Sequence, residues 1–509
     1  MFVMNCGFYI FDNIIDIRRK MRSRAVAVTI TLAAIYLPLV LSLYLNQGHF
    51  VYTLDDPYIH LALADNISHG HYGINEGENT APSSSVLWPL LLVPFAGFNH
   101  FYLVPLVLNV LFAALTALLL AGYFRWENLP FTLAALFGFN LAGLVLTGME
   151  HSLQVLLVTA ATVMLVEFAG NGKLRTLLFP VLTLLPLVRY ECMAVSLPSF
   201  IFLFLSGKRK KSLLWFSLSL LLTGGFSLYL VSLGLNPLPA SVMAKSSVVS
   251  GTSGPFINMI SSLGTFRGMA QFLLFILLLV CVFRERGRRR LLAGTAALSV
   301  LMHLSAGRFG WFHRYGVYMW VWSALLCFEL CSIRLSRFKA WVLILFLLLS
   351  GNYLSGYTKI ALASSNIYRQ QFQMRRFVHN ILNEPVAVND LGLVCFGYDH
   401  YVLDLWGLAT PEALEGSLDP LWVDSAAAAS GVDFAIVYRD ELPGIQHWTQ
   451  VASMELDPPL VVCAQGGVDF LAAPWADPDR LFNLLCDFNC FLPEGIDLIC
   501  YRYSSQWKK

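Results

Sequence analysis

Long apolar runs separated by short polar breaks fill the first 357 residues, and a shorter-period mixture of polar and apolar positions takes over after that. The runs fall at 24–46, 101–124, 131–147, 150–170, 174–188, 192–206, 212–233, 269–283, 291–306, 315–333 and 340–357. A membrane helix needs roughly 20 mostly apolar residues, so the pattern predicts about eleven transmembrane helices. Residues 86–98 read as a re-entrant segment or as the start of the next span. The runs 174–188 and 192–206 are short and are separated by Arg189, Tyr190 and Glu191.

After residue 358 prolines, glycines and charges become frequent. Short β-like runs at 386–390, 401–408 and 433–438 alternate with helix-like stretches at 364–382, 421–430 and 477–487. That texture predicts an α/β domain of about 150 residues, an ordinary domain size. The expected fold is therefore an α-helical polytopic membrane domain over 1–357, with a first exported loop at 47–85, followed by a soluble α/β domain over 358–509.

Composition agrees with lipid as the solvent: 57% of residues are hydrophobic and 13% are charged, against about 25% charged in soluble domains. A net charge of +2 and the lack of a basic tail argue against nucleic acid as a partner. Basic clusters lie at Arg18–Arg24, Arg125, Lys173 and Arg175, Lys208–Lys211, Arg284–Arg290 and Arg334–Lys339. Alternating spans put all of them on one side, the cytoplasm by the positive-inside rule. The expected location is thus the bacterial inner (plasma) membrane, with a cytoplasmic N-terminus and loops 47–85 and 234–265 exported with the C-terminal domain. The first span has a basic flank and no A-x-A-like site after it, which reads as an uncleaved anchor; Met21, directly before it, offers a second start. Of ten cysteines, Cys395, Cys463, Cys486, Cys490 and Cys500 fall in the exported domain, where disulfides persist. Five is odd, so at least one stays free.

The α/β region carries no G-x-S-x-G, P-loop or dinucleotide pattern. Ionisable residues instead gather near span ends on the exported face: Asp55, Asp56, Glu150, His151, Arg189, Glu191, Lys245, Arg308, His313 and Arg314. Charges in a membrane region are costly, so they pair, snorkel or serve function. Asp56 before Pro57 reads as a helix N-cap, opening an amphipathic surface helix over 57–69 with Ile59, Leu63 and Ile67 on one side. Asp55 is left without a structural duty and is the better candidate base. Glu150 fits either a helix N-terminus or a site, and Arg189 with Glu191 fits either a helix-capping pair or a site. Lys245 fits a solvated loop, and Trp311, Phe312, Tyr315, Tyr318 and Trp320 fit an interfacial aromatic belt. His69, His71, Glu76 and Glu78 offer metal-binding groups, but loop residues are the simpler account. No metal ligand is assigned, and a divalent metal stays open as a cofactor.

Residues 54–92 resemble the first exported loop of membrane glycosyltransferases with the GT-C fold, and most of all the arabinofuranosyltransferase-like branch of mycobacterial cell-wall synthesis. The resemblance rests on Asp55, Asp56, Tyr58, Ile59, His69, Gly70, Asn75, Gly77, Glu78, Ser83 to Ser85 and Trp88. It continues through TGMEH (147–151), LVRYE (187–191), LNPLPASVMAKS (235–246), FHRY (312–315) and residues 389–412, and fades near residue 440. Pro57 stands where the family has a small residue, and Tyr190 where it has proline.

The resemblance implies a polyprenyl-phosphate sugar donor, a cell-envelope glycan or glycolipid acceptor, and transfer on the exported side. Membrane lipid is the remaining partner. Asp55, with Asp56 beside it, would take the acceptor proton, and a single base implies inversion. Lys245, Arg314, Arg189 and His313 would face the donor phosphate. Glu150, Glu191, Tyr58, His69 and Glu78 would orient those cations or bind sugar and acceptor. A flippase of lipid-linked sugars and a ligase of whole glycan chains are the competing readings; no internal repeat of the transporter kind is evident.

Overall fold

The computed structural model describes the chain except residues 1, 125, 246–253, 311, 313, 332–337, 457–466, 494–495 and 502–509, and except the side chains of residues 2–16, 126, 244, 245 and 415. In chain order the helices begin with α1 (Phe2–Leu45), α2 (Asp56–Ser68), α3 (Leu87–Leu92), α4 (Val104–Phe124), α5 (Leu129–Gly138), α6 (Leu141–Leu146), α7 (His151–Asn171) and α8 (Leu178–Val188). They continue with α9 (Met193–Leu205), α10 (Arg209–Ser232), α11 (Ala240–Lys245), α12 (Pro255–Leu263), α13 (Phe266–Arg284), α14 (Gly287–Ala306), α15 (Val317–Cys331), α16 (Lys339–Leu349) and α17 (Gly351–Thr358). The remainder interleaves α18 (Ile360–Arg369), α19 (Gln371–Phe377), β1 (Val386–Val388), α20 (Gly392–Cys395), β2 (Val402–Asp404), α21 (Ala413–Gly416), α22 (Pro420–Ala429), β3 (Phe434–Val437), β4 (Thr449–Leu456), β5 (Gly467–Ala472), α23 (Pro478–Asn489) and β6 (Ile496–Cys500). Two compact units emerge: residues 1–39, 106–224 and 251–358 form one, and residues 40–105, 225–250 and 359–509 the other.

The first unit is helical. Its helices turn large apolar side chains outward, among them Leu213, Leu214, Leu220 and Leu221 of α10 and Val107, Leu111 and Leu115 of α4. Such faces are stable only against lipid, and the chain is a multi-pass membrane protein. Among the described residues six helices are long and apolar enough to cross a membrane, or up to seven when the bent pair α16 and α17, turned by 59°, counts as one span. The expected eleven is corrected by this. Runs 174–188, 192–206 and 315–333 become helices too short for a full crossing, Leu178–Val188, Tyr190–Leu205 and Val317–Cys331. The run 291–306 belongs to α14, whose first turn is filled by Arg288, Arg289 and Arg290. Residues 86–98 yield only α3 and a 3₁₀ turn.

The second unit carries a six-stranded sheet in the order β2-β1-β3-β5-β4-β6. β2, β1 and β3 run parallel, while β5, β4 and β6 add antiparallel. Alternation with period two sends Val386, Val388, Phe434 and Ile436 to one face, with Ile59 and Leu63 of α2 and Leu481, Leu485 and Phe488 of α23. Ala387, Leu403, Ala435 and Val437 point to the other, covered by Val423 and Ala427 of α22. The three strands expected from sequence are present. α2 differs from expectation: Pro57 through Ala64 are all buried, so its first two turns form an interior helix rather than a surface one. Ile59 and Leu63 do share the apolar cluster, with Ile67 packed at its edge.

Candidate functional site

In the second unit, Asp55 sits at the start of α2 and Asp56 is that helix's first residue. The expected cap at Asp56 is thus displaced by one position, and Asp55 has a structural duty after all. Its Oδ2 accepts the Gly392 N–H at 2.6 Å and its Oδ1 accepts the Leu393 N–H at 2.8 Å. These amides follow β1, at the carboxyl end of the parallel strands, where open α/β sheets place their ligands. Gly392 is required here: a Cβ at this position would overlap the Asp55 carbonyl oxygen and lie 2.7 Å from its Oδ2.

Asp55 is half-buried as a residue. Burial raises its pKa well above the usual carboxylate range, and the nearby charge of Asp390 adds to this, against the two N–H bonds that favour the anion. Asp390 is raised as well, by burial. Its Oδ2 lies 2.5 Å from the Tyr438 hydroxyl and 2.6 Å from Gln371 Nε2. The Tyr438 hydroxyl in turn lies 2.7 Å from Gln370 Oε1. A carboxylate has about four acceptor positions, so Asp55 keeps capacity for a hydroxyl proton beyond its two backbone bonds.

Arg375 fixes the far side of this loop. Its Nη1 donates to the Leu393 carbonyl at 2.8 Å and also reaches the Phe396 carbonyl, over whose ring the guanidinium stands at 5.6 Å. Tyr58 is buried, and its hydroxyl accepts the Tyr52 N–H at 3.3 Å. Several first-loop residues make hydrogen bonds to the sheet region or within their own turn. Asn75 pairs with Val402 of β2 through both ends of its amide, at 3.0 and 2.9 Å. Both Glu78 oxygens accept from the Tyr401 hydroxyl at 3.0 Å. Ser85 Oγ accepts the Trp88 N–H at 3.0 Å, capping α3. His69 closes the opposite end of α2 from Asp55, exposed, with Nδ1 2.9 Å from the Asp65 carbonyl. A helix of that length separates His69 from Asp55 by roughly 20 Å. Asp404 is fully buried and accepts three N–H groups, from Trp406, Leu408 and Ala409 at 2.9, 2.6 and 2.7 Å. It organises the turn through Gly407, whose φ of +87° calls for glycine.

The first unit holds a separate charged cluster. Arg189, in extended backbone between α8 and a 3₁₀ turn, donates from Nη1 to Glu150 at 2.6 Å and from Nε and Nη2 to Glu191 at 2.9 and 3.2 Å. Gln154 Nε2 adds a bond to Glu191 at 3.3 Å. The Tyr318 hydroxyl donates to the Glu191 carbonyl at 2.9 Å and meets His303 Nδ1 at 2.9 Å. Arg314, 1% exposed, donates to the Tyr315 hydroxyl at 3.1 Å. The guanidinium carbons of Arg189 and Arg314 lie 5.5 and 5.0 Å from the Tyr315 ring centre. Two arginines and two glutamates balance in charge, as buried ions must. Arg189 commits three donors to carboxylates.

The structure therefore brings Asp55 and Asp56 together in one unit and Glu150, Arg189, Glu191 and Arg314 in the other. His313 and the side chain of Lys245 lie outside the described residues. Among the described residues no three His, Cys, Asp or Glu groups stand close enough to hold a metal ion. Asp390, Gln371, Tyr438, Arg375, His303 and Tyr318 were not singled out as site residues. Asp390 was in view within NDLGLV (389–394), but spacing alone does not say that this loop meets Asp55.

A domain of unknown function, DUF8728, matches residues 365–473, the stretch that includes Gln371, Asp390, Gly392, Leu393 and Tyr438. No curated protein matches the chain. Two solved structures similar to it come from Archaeoglobus fulgidus. One is its oligosaccharyltransferase in complex with zinc and sulfate (TM-score 0.46, 11% identity, covering 91% of this chain and 74% of that one). The other is the archaeal oligosaccharyltransferase AglB with an inhibitory peptide and a dolichol-phosphate (TM-score 0.44, 13% identity, covering 88% and 75%).

Proposed function

We propose that this protein is an inverting glycosyltransferase of the GT-C kind. It moves a sugar from a polyprenyl-phosphate donor to a hydroxyl of a cell-envelope glycan or glycolipid on the exported face of the membrane. The family-like order of motifs from residue 54 to about 440, nearest the mycobacterial arabinofuranosyltransferase branch, motivates the reading. The observation that carries it is Asp55: a carboxylate oriented by two backbone N–H groups and raised in pKa by burial and by Asp390. A general base works best with a pKa moved toward the operating pH.

In the proposed step, Asp55 takes the acceptor hydroxyl proton as the acceptor oxygen bonds to the anomeric carbon. The bond from that carbon to the donor phosphate breaks, and the phosphate leaves with its electron pair. Lys245, Arg314 and Arg189 are the cations that the motif resemblance assigns to that charge. The Asp55→Asn variant, assayed beside wild type for release of polyprenyl phosphate from a panel of polyprenyl-phosphate sugars, tests the base. Loss of at least about a hundred-fold in kcat fits general-base removal, and full activity in folded variant protein overturns the assignment.

A further inference from the structure

A cavity of about 530 Å³ in the helical unit lies between α4, α5, α13, α15 and α16, on residues that play no part in the proposed transfer. Its walls are mostly apolar, with Phe131, Leu274, Trp320, Phe328, Leu345 and Phe346 among them. An apolar void of this size in a membrane bundle forfeits dispersion contacts along its whole lining, and water gains nothing there. A hydrocarbon chain restores the contacts.

The cavity is polar at one end only. Asn128 before α5, Glu329 near the end of α15 and Lys339 at the start of α16 line that mouth. The two anionic and cationic groups there differ in availability. Arg289 donates to Glu329 at 3.1 Å, whereas Lys339 is exposed, donates to the neutral Asn128 side chain at 3.0 Å, and has no carboxylate partner among the described residues. The mouth therefore offers a positive charge to an incoming headgroup.

Length selects the class of occupant. Along α15 the lining runs from Trp320 to Cys331, about 16 Å at 1.5 Å per residue. That is close to the ~15 Å hydrocarbon depth of one leaflet, half of a ~30 Å core. A fatty acyl chain fits this depth, and a polyprenyl chain, several times longer, overruns it. We infer that this cavity binds one acyl chain of a glycerophospholipid whose phosphate is held at the Lys339 mouth. Basic pockets between membrane helices take phospholipid headgroups in this way. The inference stands independently of the transferase reading.

The test is native mass spectrometry of the full chain, delipidated in mild detergent and then exposed to dioleoyl phosphatidylglycerol. Wild type should retain one phospholipid per chain. Ala324→Trp, which puts an indole into the cavity, should cut retention at least about ten-fold. Lys339→Gln, at the exposed mouth where folding is not at stake, should weaken it about five-fold. Wild type that retains no phospholipid, retention equal to wild type in Lys339→Gln, or retention of polyprenyl phosphate in preference to phosphatidylglycerol would each overturn the inference.

Discussion

Replacing Asp55 by asparagine should loosen the loop after β1, and the size of the effect follows from two hydrogen bonds. The carboxylate accepts from Gly392 and Leu393 at 2.6 and 2.8 Å. Charge-assisted bonds contribute about 1.5–3 kcal/mol each. Asparagine keeps one acceptor oxygen, neutral, and turns its NH₂ toward the other N–H. The gross loss is about 2–4 kcal/mol, and relief of repulsion from Asp390 and Asp56 returns part of it. A net loosening of about 1–3 kcal/mol corresponds to roughly 5- to 150-fold faster opening. Amide hydrogen exchange of peptides covering residues 389–396, wild type against variant, reads this directly. Unchanged exchange would refute the claim that Asp55 holds this loop. The same argument separates positioning from base chemistry. Gly392→Ala keeps the ionisable carboxylate but drives a methyl against the Asp55 carbonyl and Oδ2, so it should loosen the loop by about 1–3 kcal/mol as well. Turnover that falls far more in Asp55→Asn than in Gly392→Ala identifies a chemical role; equal losses would reduce Asp55 to a positioning residue.

Three further outcomes follow from the same geometry. Arg189→Ala removes the cation that faces buried Glu150 and half-buried Glu191 and should cost about 3–5 kcal/mol, seen as a lower thermal midpoint that Glu150→Gln partly restores; an unchanged midpoint would contradict the Arg189–Glu150 pairing. His379 has a pKa lowered to about 4 by burial and by Arg375, so its stabilising effect is complete above its ordinary pKa and lost as pH falls from about 6.5 toward 4. Allowing for its partial exposure, wild type should lose about 1 kcal/mol more than His379→Gln over that range, and parallel pH–stability curves would count against it. Burial and the neighbouring Cys486 thiol of α23 push the Cys500 thiol of β6 up to about 11, so the two lie close, and in an oxidising compartment they should form a disulfide. Non-reducing peptide mapping should recover the cross-linked pair, and free thiols at both positions in protein from oxidising membranes would refute the exported placement or the pairing.

The elements with a clear period were legible in the sequence. β1, β2 and β3 lie inside the three β-like runs, and α22 and α23 match 421–430 and 477–487 to within two residues. Spans were over-counted because apolar length does not measure helix length. Arg189 breaks one run pair by taking an extended backbone, and the run 291–306 shares its helix α14 with Arg288, Arg289 and Arg290. β4, β5 and β6 went unforeseen, since their partners are distant in sequence and their register is set by pairing rather than by local pattern. At the site, residue types pointed to Asp55 and to the Arg189 pair. What could not be read was the chain crossing of more than three hundred residues that puts Asp55 on the amides after β1. That contact gives Asp55 the structural duty it lacked on capping grounds.

The most direct test of the transferase account is to incubate the purified full chain with polyprenyl-phosphate sugars and membrane-extracted glycan acceptors, and to weigh the acceptor. The account predicts an acceptor heavier by one sugar residue, joined with inverted anomeric configuration, together with free polyprenyl phosphate. Intact donor that crosses from one leaflet of a reconstituted vesicle to the other, with no gain in acceptor mass for any sugar, would contradict it and make the protein a carrier of lipid-linked sugars.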